Sequence, residues 1–273
     1  NKIYNMASYQ ISVIMGIYNC ASTLREALDS LLNQKYQDFK VIMCDDGSTD
    51  NTYEIAYEYV KGNQDKFILI KNEKNLGLNA TLNRCLELVD TPFVARMDGD
   101  DISLPNRFEV QMEYLQQNKD VDFVSTAMIC FDENGDFMTL KQSSENPTKK
   151  DFIKKTAFYH APIVIKTDAL RNVDGYTVDN RLLRVEDYHL WMKLYAAGYR
   201  GHNIMEPYYK MRDDRNAQAR RTWVNRRNET YVKWIGYRML GLPFYVYPMC
   251  LVPIIKFCIP TFIYNYVHRR HGK

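Results

Sequence analysis

Apolar residues in the first hundred positions switch between two periods. Ile11-Ser-Val-Ile-Met15 is a short β-rich run that stops at Gly16-Ile-Tyr-Asn19, where the residue types predict a turn. From Ser22 the spacing changes. Leu24, Ala27, Leu28, Leu31 and Leu32 recur at helical intervals, with Ser22 available to cap the first turn. The alternation then repeats. Strands are predicted over Phe39–Cys44, Phe67–Ile70 and Pro92–Met97, and helices over Thr52–Val60 and Leu76–Leu88. Two acidic turns close strands two and four: Asp45-Asp-Gly-Ser-Thr-Asp50 and Asp98-Gly-Asp-Asp101.

Single helices between successive strands predict right-handed crossovers and a parallel sheet. Ligands of such sheets bind at the carboxyl ends of the strands. The unusual polar residues lie at those ends: Tyr18 and Asn19, then Asp45 and Asp46, then Asp98, Asp100 and Asp101. They are expected to share one edge. The second half is less regular, with strands predicted over Val121–Cys130 and Phe137–Leu140, a helix over Asp151–Phe158, an extended Ala161–Ile165, and a helix over Val185–Leu194 that opens with two carboxylates. No internal repeat is present.

Composition narrows the class. The 273 residues are 46% hydrophobic and 25% charged, which excludes wholesale disorder, and 12 Gly with 9 Pro exclude a collagen-like chain. The net charge of +3 hides a division, because residues 210–273 carry thirteen Lys/Arg against three Asp/Glu and the remainder is acidic. The expected division is therefore a domain over 1–208 and a basic, aromatic extension over 209–273. A basic tail suits an anionic surface, either nucleic acid or lipid. The six cysteines form no C-x-x-C pair and no zinc-spaced cluster, so buried thiols in a reducing compartment are expected. No basic, apolar, small-residue leader pattern opens the sequence, and a cytoplasmic location is expected.

Each carboxylate group has two readings. Asp98-Gly-Asp100 is either an ordinary polar turn or a site for a hard divalent cation, with Gly99 letting the backbone approach a ligand. Asp45-Asp46-Gly47-Ser48 is either a turn capping the following helix through Ser48 or Asp50, or a way of aiming Asp46 at the N3–H of uracil. Tyr18 either packs or stacks on the base. Glu186-Asp187 either complements a helix N-terminus or supplies a general base, with Trp191 walling the cleft. His160, His189 and His202 are isolated and read as packing or surface residues.

Taken in order, Val-Ile-Met-Gly-Ile-Tyr-Asn19, Cys-Asp-Asp-Gly-Ser48, Asn75-Leu-Gly77 through Asn83, Arg-Met-Asp-Gly-Asp-Asp101 and Glu186-Asp187 resemble the inverting family 2 glycosyltransferases over residues 9–208. The resemblance implies the α/β GT-A fold, a mostly parallel central sheet flanked by helices, with a C-terminal helical, amphipathic extension. It implies Mn²⁺ or Mg²⁺, with Asp98 near ribose and metal and Asp100 as direct ligand. It further implies a nucleotide-binding set of Gly16, Tyr18, Asp46 and Asn75, Asp187 as catalytic base, and Glu186 contacting the acceptor. Many relatives carry a His after the last core strand that closes over the metal. Here Tyr209-Lys-Met-Arg212 supplies none, which leaves Arg212 or Arg215 to meet the diphosphate.

The implied reaction is transfer of a hexose or N-acetylhexosamine from a UDP-sugar to a saccharide, lipid-linked by analogy, in bacterial surface-polysaccharide assembly. A binding module without catalysis and a metal-dependent nucleotidyltransferase are the competing classes. From Met239 to Val267 the chain is apolar and aromatic, broken by Pro243, Pro248, Pro253 and Pro260, with Lys256 as its one charge. Four prolines and a lysine argue against a spanning helix. A tail lying on the inner membrane surface is expected, with packing on the protein as the alternative and no nucleic acid as partner.

Overall fold

In a computed structural model, residues 9–213 and 222–258 are described. Arg215 and residues 259–273, which carry part of the expected tail, lie outside them. The first half alternates as β1 (Ile11–Ile17), α1 (Leu24–Leu32), β2 (Phe39–Asp45), α2 (Thr52–Gly62), β3 (Phe67–Lys71), α3 (Leu78–Glu87) and β4 (Phe93–Arg96). Then follow β5 (Ile102–Ser103), α4 (Arg107–Gln117), β6 (Phe123–Asp132), β7 (Gly135–Leu140), β8 (Val164–Lys166), α5 (Thr167–Asn172), α6 (Glu186–Ala196), β9 (Gly201–Arg212), α7 (Trp223–Met239) and α8 (Val252–Cys258). The strand order is β3-β2-β1-β4-β8-β6-β9-β5, with β7 paired to β6. The pairs among β1 to β4 are parallel as expected, and β6 with β9 is also parallel. The pairs β4–β8, β6–β8, β6–β7 and β5–β9 are antiparallel, so the sheet is mixed beyond β4.

Alternation along the strands separates two cores. Val13, Met15, Val41 and Met43 face α1 and α4, whose Leu28, Leu31, Phe108 and Met112 fill that side. Ile14, Ile42 and Cys44 face the other way, toward Leu82 and Cys85 of α3 and the aromatic group around Trp191 of α6. Central strands apolar on both faces require helices on both.

Two local expectations change. α1 begins after Thr23, and Thr23 Oγ1 donates to the carbonyls of Cys20 and Gly99 while Ser22 caps nothing. The helix predicted over Asp151–Phe158 is one 3₁₀ turn, Asp151–Ile153. Phe152 and Phe158 are both fully buried in one cluster, and six positions on a helix would point them about 120° apart. The chain unwinds to bury both.

The division expected after Tyr208 falls inside β9, where Arg212 still pairs with Phe131. The next helix belongs to the body as well. α7 buries Val232 in the same core as Trp191, and a Cβ on Gly236 would meet Met192 Sδ of α6 at 2.1 Å. Among the described residues, no helix is long and apolar enough to cross a membrane.

Candidate active site

The ends of β1 and β2 are tied by side chains. Asn19, at φ 47°, accepts from Thr49 N through Oδ1 at 2.9 Å, and its own N–H donates to Ser48 Oγ at 3.1 Å. Asp50 accepts from Ala21 N at 3.2 Å and from Thr52 N at 3.0 Å, so it ties the β1 end to the first residue of α2, although the cap position itself is Asn51. This stitching leaves Tyr18 47% exposed, so the packing reading of Tyr18 does not hold. A free aromatic face beside a strand end is suited to stacking.

Asp46 has structural work that the sequence did not reveal. Its Oδ1 accepts from Asn72 Nδ2 at 2.7 Å and Leu76 N at 2.8 Å, and its Oδ2 accepts from Gly77 N at 2.9 Å. The buried carboxylate therefore shapes the β3–α3 loop, while Oδ2 keeps acceptor capacity for one more donor. Asn75, on that loop, accepts from Gly77 N at 3.1 Å. Gly16 lies inside β1 rather than in a turn, and a Cβ there would meet Leu78 of α3 at 3.1 Å. Its small size serves the approach of α3. Gly99 likewise packs, since a Cβ would meet Cys20 Sγ at 2.8 Å.

The second acidic turn follows β4, next to β1, with Met97 N donating to Ile14 O. Carboxylate oxygens of Asp98, Asp100 and Asp101 lie within 4.8 Å of one another. Three hard oxygen donors at that spacing suit Mg²⁺ or Mn²⁺. Burial, then Asp98, raises Asp100 above the ordinary carboxylate range, and the same two causes with Asp100 raise Asp101 further. Mutual repulsion in a half-dry turn is the condition that a cation relieves. Asp98 is gripped in bidentate fashion by Arg96; burial, the largest single effect, pulls that guanidinium down, but Asp98, Tyr209 and Tyr176 together hold it above its ordinary value.

The stretch Tyr209 to Arg212, which lacks the expected His, ends β9 against this turn. The Tyr209 hydroxyl accepts from Asp98 N at 3.2 Å, and Arg212 N donates to Asp101 Oδ1 at 2.8 Å. Arg212 Nε donates to the Asp100 carbonyl at 2.9 Å, and its guanidinium also pairs with Glu26. A cation therefore stands at the acidic turn.

Asp187 opens α6, and its Oδ1 accepts from Tyr188 N at 2.7 Å. Burial, then the neighbouring Glu186, pushes its carboxyl up to about 6, while Arg96 pulls the other way. Arg96 thus acts on both Asp98 and Asp187, and Tyr176 feels the charges of Arg96, Asp98, Asp187 and Glu186 together. The acidic turn and the start of α6 therefore lie within electrostatic reach of the same Arg96 and Tyr176. Glu186 Oε2 is buried there without a hydrogen-bond partner. Trp191 does not wall the cleft, because it is fully buried and stacks on Phe123 at 5.4 Å.

In the sequence, Arg96 has no role beyond opening the fourth motif, His160 reads as a packing or surface residue, and Tyr176 is passed over. His160 Nε2 is 2.8 Å from the Tyr176 hydroxyl, and burial, then Arg96, holds the imidazole well below its ordinary value, hence neutral. Asn83 exchanges two bonds with Tyr176, Nδ2 to O at 2.7 Å and N to Oδ1 at 2.9 Å, so α3 fixes the loop carrying that hydroxyl. For Tyr176 the one sequence signal was Asn83, at the end of the third motif. His189 is buried, and His202 stacks on Tyr114 at 4.2 Å, in keeping with packing roles.

Comparison with known proteins agrees with this geometry. Residues 12–177 match the profile described as Glycosyl transferase family 2. A chain of Bacillus subtilis (strain 168) called EpsE, provisionally assigned as a glycosyltransferase, is 36% identical over 261 residues, spanning 96% of this chain and 94% of its own. An Escherichia coli UDP-Gal:alpha-D-GlcNAc-diphosphoundecaprenol beta-1,3-galactosyltransferase is 32% identical over 219 residues, 78% of this chain and 77% of its own. Among solved structures, S. aureus TarS 1–349 in complex with UDP-GlcNAc aligns with a TM-score of 0.68 at 18% identity, covering 91% of this chain and 80% of that one. At that identity the likeness shows the fold.

Proposed function

Because the chain belongs to glycosyl transferase family 2, we propose that it moves a hexose or N-acetylhexosamine from a UDP-sugar to a lipid-linked saccharide with inversion at the anomeric carbon. The observation that carries this reading is the Asp187 carboxyl, raised to about 6 and sharing Arg96 with the acidic turn. A general base works best when its pKa lies near the operating pH.

In this reading Tyr18 stacks on uracil and the open side of Asp46 Oδ2 accepts the N3–H. Asn75 lines the same loop. Asp98 and Asp100 would hold Mn²⁺ or Mg²⁺, which when bound supplies positive charge beside the departing diphosphate. Arg212 adds a fixed cation from β9. Asp187 takes the proton of the acceptor hydroxyl as that oxygen attacks from the side opposite the nucleotide. Glu186 orients the acceptor through its unpartnered oxygen. One displacement inverts the centre, with no sugar–enzyme bond to form or break.

The acceptor assignment is supported by two observations. A relative's name specifies a diphosphoundecaprenol-linked sugar. The end of the described chain also displays Phe244 and Tyr245, which are 87% and 81% exposed, as a lipid-facing surface would. The enzyme is accordingly expected at the inner face of the cell membrane, peripheral to it, assembling a surface polysaccharide. The test is a set of UDP-sugars with Mn²⁺, measuring UDP released with and without lipid-linked saccharide. Acceptor-dependent UDP is the expected product. Pyrophosphate from UTP would indicate nucleotidyl transfer instead, and neither product would indicate a binding module.

A further inference from the structure

Asp187 has a second neighbourhood, away from the strand-end turns. A cavity of about 350 Å³ lies against it, and its cations are Lys154, Lys155, Arg184, Arg226, Lys233 and Lys256, set against only Asp187 and Glu229. None of Tyr18, Asp46, Asp98 or Asp100 lines it. We propose that this cavity binds the diphosphate of the acceptor, so that the acceptor is recognised as an anionic, phosphate-linked saccharide by Lys154, Lys155 and Arg184. The proposal rests on the transfer reaction above and assigns its acceptor side.

The cations divide into structural and unclaimed groups. Arg226 pairs with Glu229 at 2.6 Å, and Lys233 Nζ donates to the carbonyls of Ile153 and Lys154 at 3.1 Å each. These contacts brace the segment that carries Lys154 and Lys155. Among the described residues, the side chains of Lys154, Lys155 and Arg184 have no ion-pair partner. Arg184 also holds φ 69°, a conformation unfavourable for a long side chain, and Asn228 of α7 anchors the preceding Leu183 carbonyl at 3.2 Å. Strain kept by its surroundings next to an active centre directs attention to function.

The lining distinguishes this cavity from the residues assigned to the donor. In an inverting displacement the acceptor oxygen comes from the side opposite the leaving nucleotide, with the base beside it. Asp187 is within electrostatic reach of Arg96, which pairs with Asp98, yet neither Arg96 nor Asp98 lines the cavity, which leaves it for the acceptor. A neutral saccharide has no use for uncompensated cations, whereas a diphosphate meets them with charge-assisted hydrogen bonds. Val252 and Pro253, which line the cavity beside Val185, begin α8, and that helix exposes Ile255. Phosphate and lipid would thus continue in one direction from the reacting sugar.

The experiment uses the intact chain and titrates N-acetylglucosamine linked through a diphosphate to a short alkyl chain, against the alkyl glycoside lacking phosphate. Wild type should bind the diphosphate compound about ten-fold tighter or more, equivalent to one charge-assisted contact or better. The Lys154→Gln/Lys155→Gln pair and Arg184→Gly, which relieves the φ requirement, should each lose that preference. The Lys154→Arg/Lys155→Arg pair should keep it, and UDP affinity should hold in all. Equal affinity for the two compounds, or variants that retain the preference, would overturn the proposal. So would an equal fall in UDP affinity, which would return the cavity to the nucleotide. Competition by phosphatidylglycerol vesicles as strong as by the compound itself would reassign it to lipid headgroups. Binding is read without turnover, so a chain that transfers no sugar yet shows the preference would defeat the transferase reading and leave the cavity assignment standing.

Discussion

A carboxyl that accepts a proton must first be empty, which ties turnover to the environment of Asp187. Burial and Glu186 raise it to about 6, so activity should fall about ten-fold per pH unit below that value and level off above it. The Asp187→Asn variant should lose about 10²–10⁴-fold in kcat while UDP affinity is retained; near-normal turnover would exclude Asp187 as base. The same shift has a consequence for stability. A folded-state value above the unfolded one means that the fold favours the protonated form. That contribution is complete below about 4 and lost as pH rises through about 6. Asparagine removes the penalty, so the melting temperature of the variant relative to wild type should rise between pH 5 and pH 8, measured by calorimetry. Asp98, Asp100 and Asp187 were legible because carboxylates that end an apolar strand or open a helix stand out in the sequence. Arg96 and Tyr176 were not legible. One closes an apolar run and the other sits in a loop, and each gains its role only when β4, α3 and α6 meet. Asp46 was legible as a strand-end carboxylate, but its three donors come from residues 72–77, and nothing in the sequence pairs them.

At the scale of elements, the strands of the first half follow from short continuous apolar runs that helices cover on both faces. The second half was harder to read because its helices and strands are shaped by aromatic packing rather than by local periodicity. Phe123, Phe152, Phe158, Trp191 and Tyr195 form one buried group, and the chain between 151 and 158 bends to supply two of them. β9 shows the same priority. It loses register between Thr126 and Met128 of its partner β6, where Pro207 cannot donate to the ladder. The contact between α6 and α7 is equally invisible in sequence, since Gly236 reads as a weak helix residue. In the fold it admits Met192, and Gly236→Ala would force the Met192 side chain aside. Overpacking of this kind costs about 1–3 kcal/mol, and each kcal/mol lowers Tm by about 2–4 °C in a domain of this size. The helix gain of alanine, about 1 kcal/mol, works against it. A measured Tm at or above wild type would mean that Met192 yields freely and that α7 is not held at this point.

At the scale of the whole molecule, counting charges located the basic C-terminal region correctly, but a change of sign is not a boundary of structure. The sheet continues through Tyr208 to Arg212, and α7 closes one core, so the acidic body and the first part of the basic region fold together. Exposed apolar side chains already occur on α7, at Trp223 and Trp234, and continue in the 3₁₀ segment Phe244–Leu251 and in α8, which expose Phe244, Tyr245, Leu251, Ile255 and Phe257. These side chains stand close in sequence to the cavity lined by Lys256, which combines apolar and basic groups as an interfacial element does. A surface of that kind should draw the intact chain onto phosphatidylglycerol vesicles, more weakly onto neutral ones, and less as salt rises. Phe244→Ser with Tyr245→Ser removes two aromatic anchors, each worth about 1.5–3 kcal/mol if fully buried in lipid and less if only partly. Partition should therefore drop about ten-fold or more in co-sedimentation, with the melting temperature unchanged because neither ring is buried in the fold. Unchanged partition would separate this surface from lipid and make it a contact for protein instead.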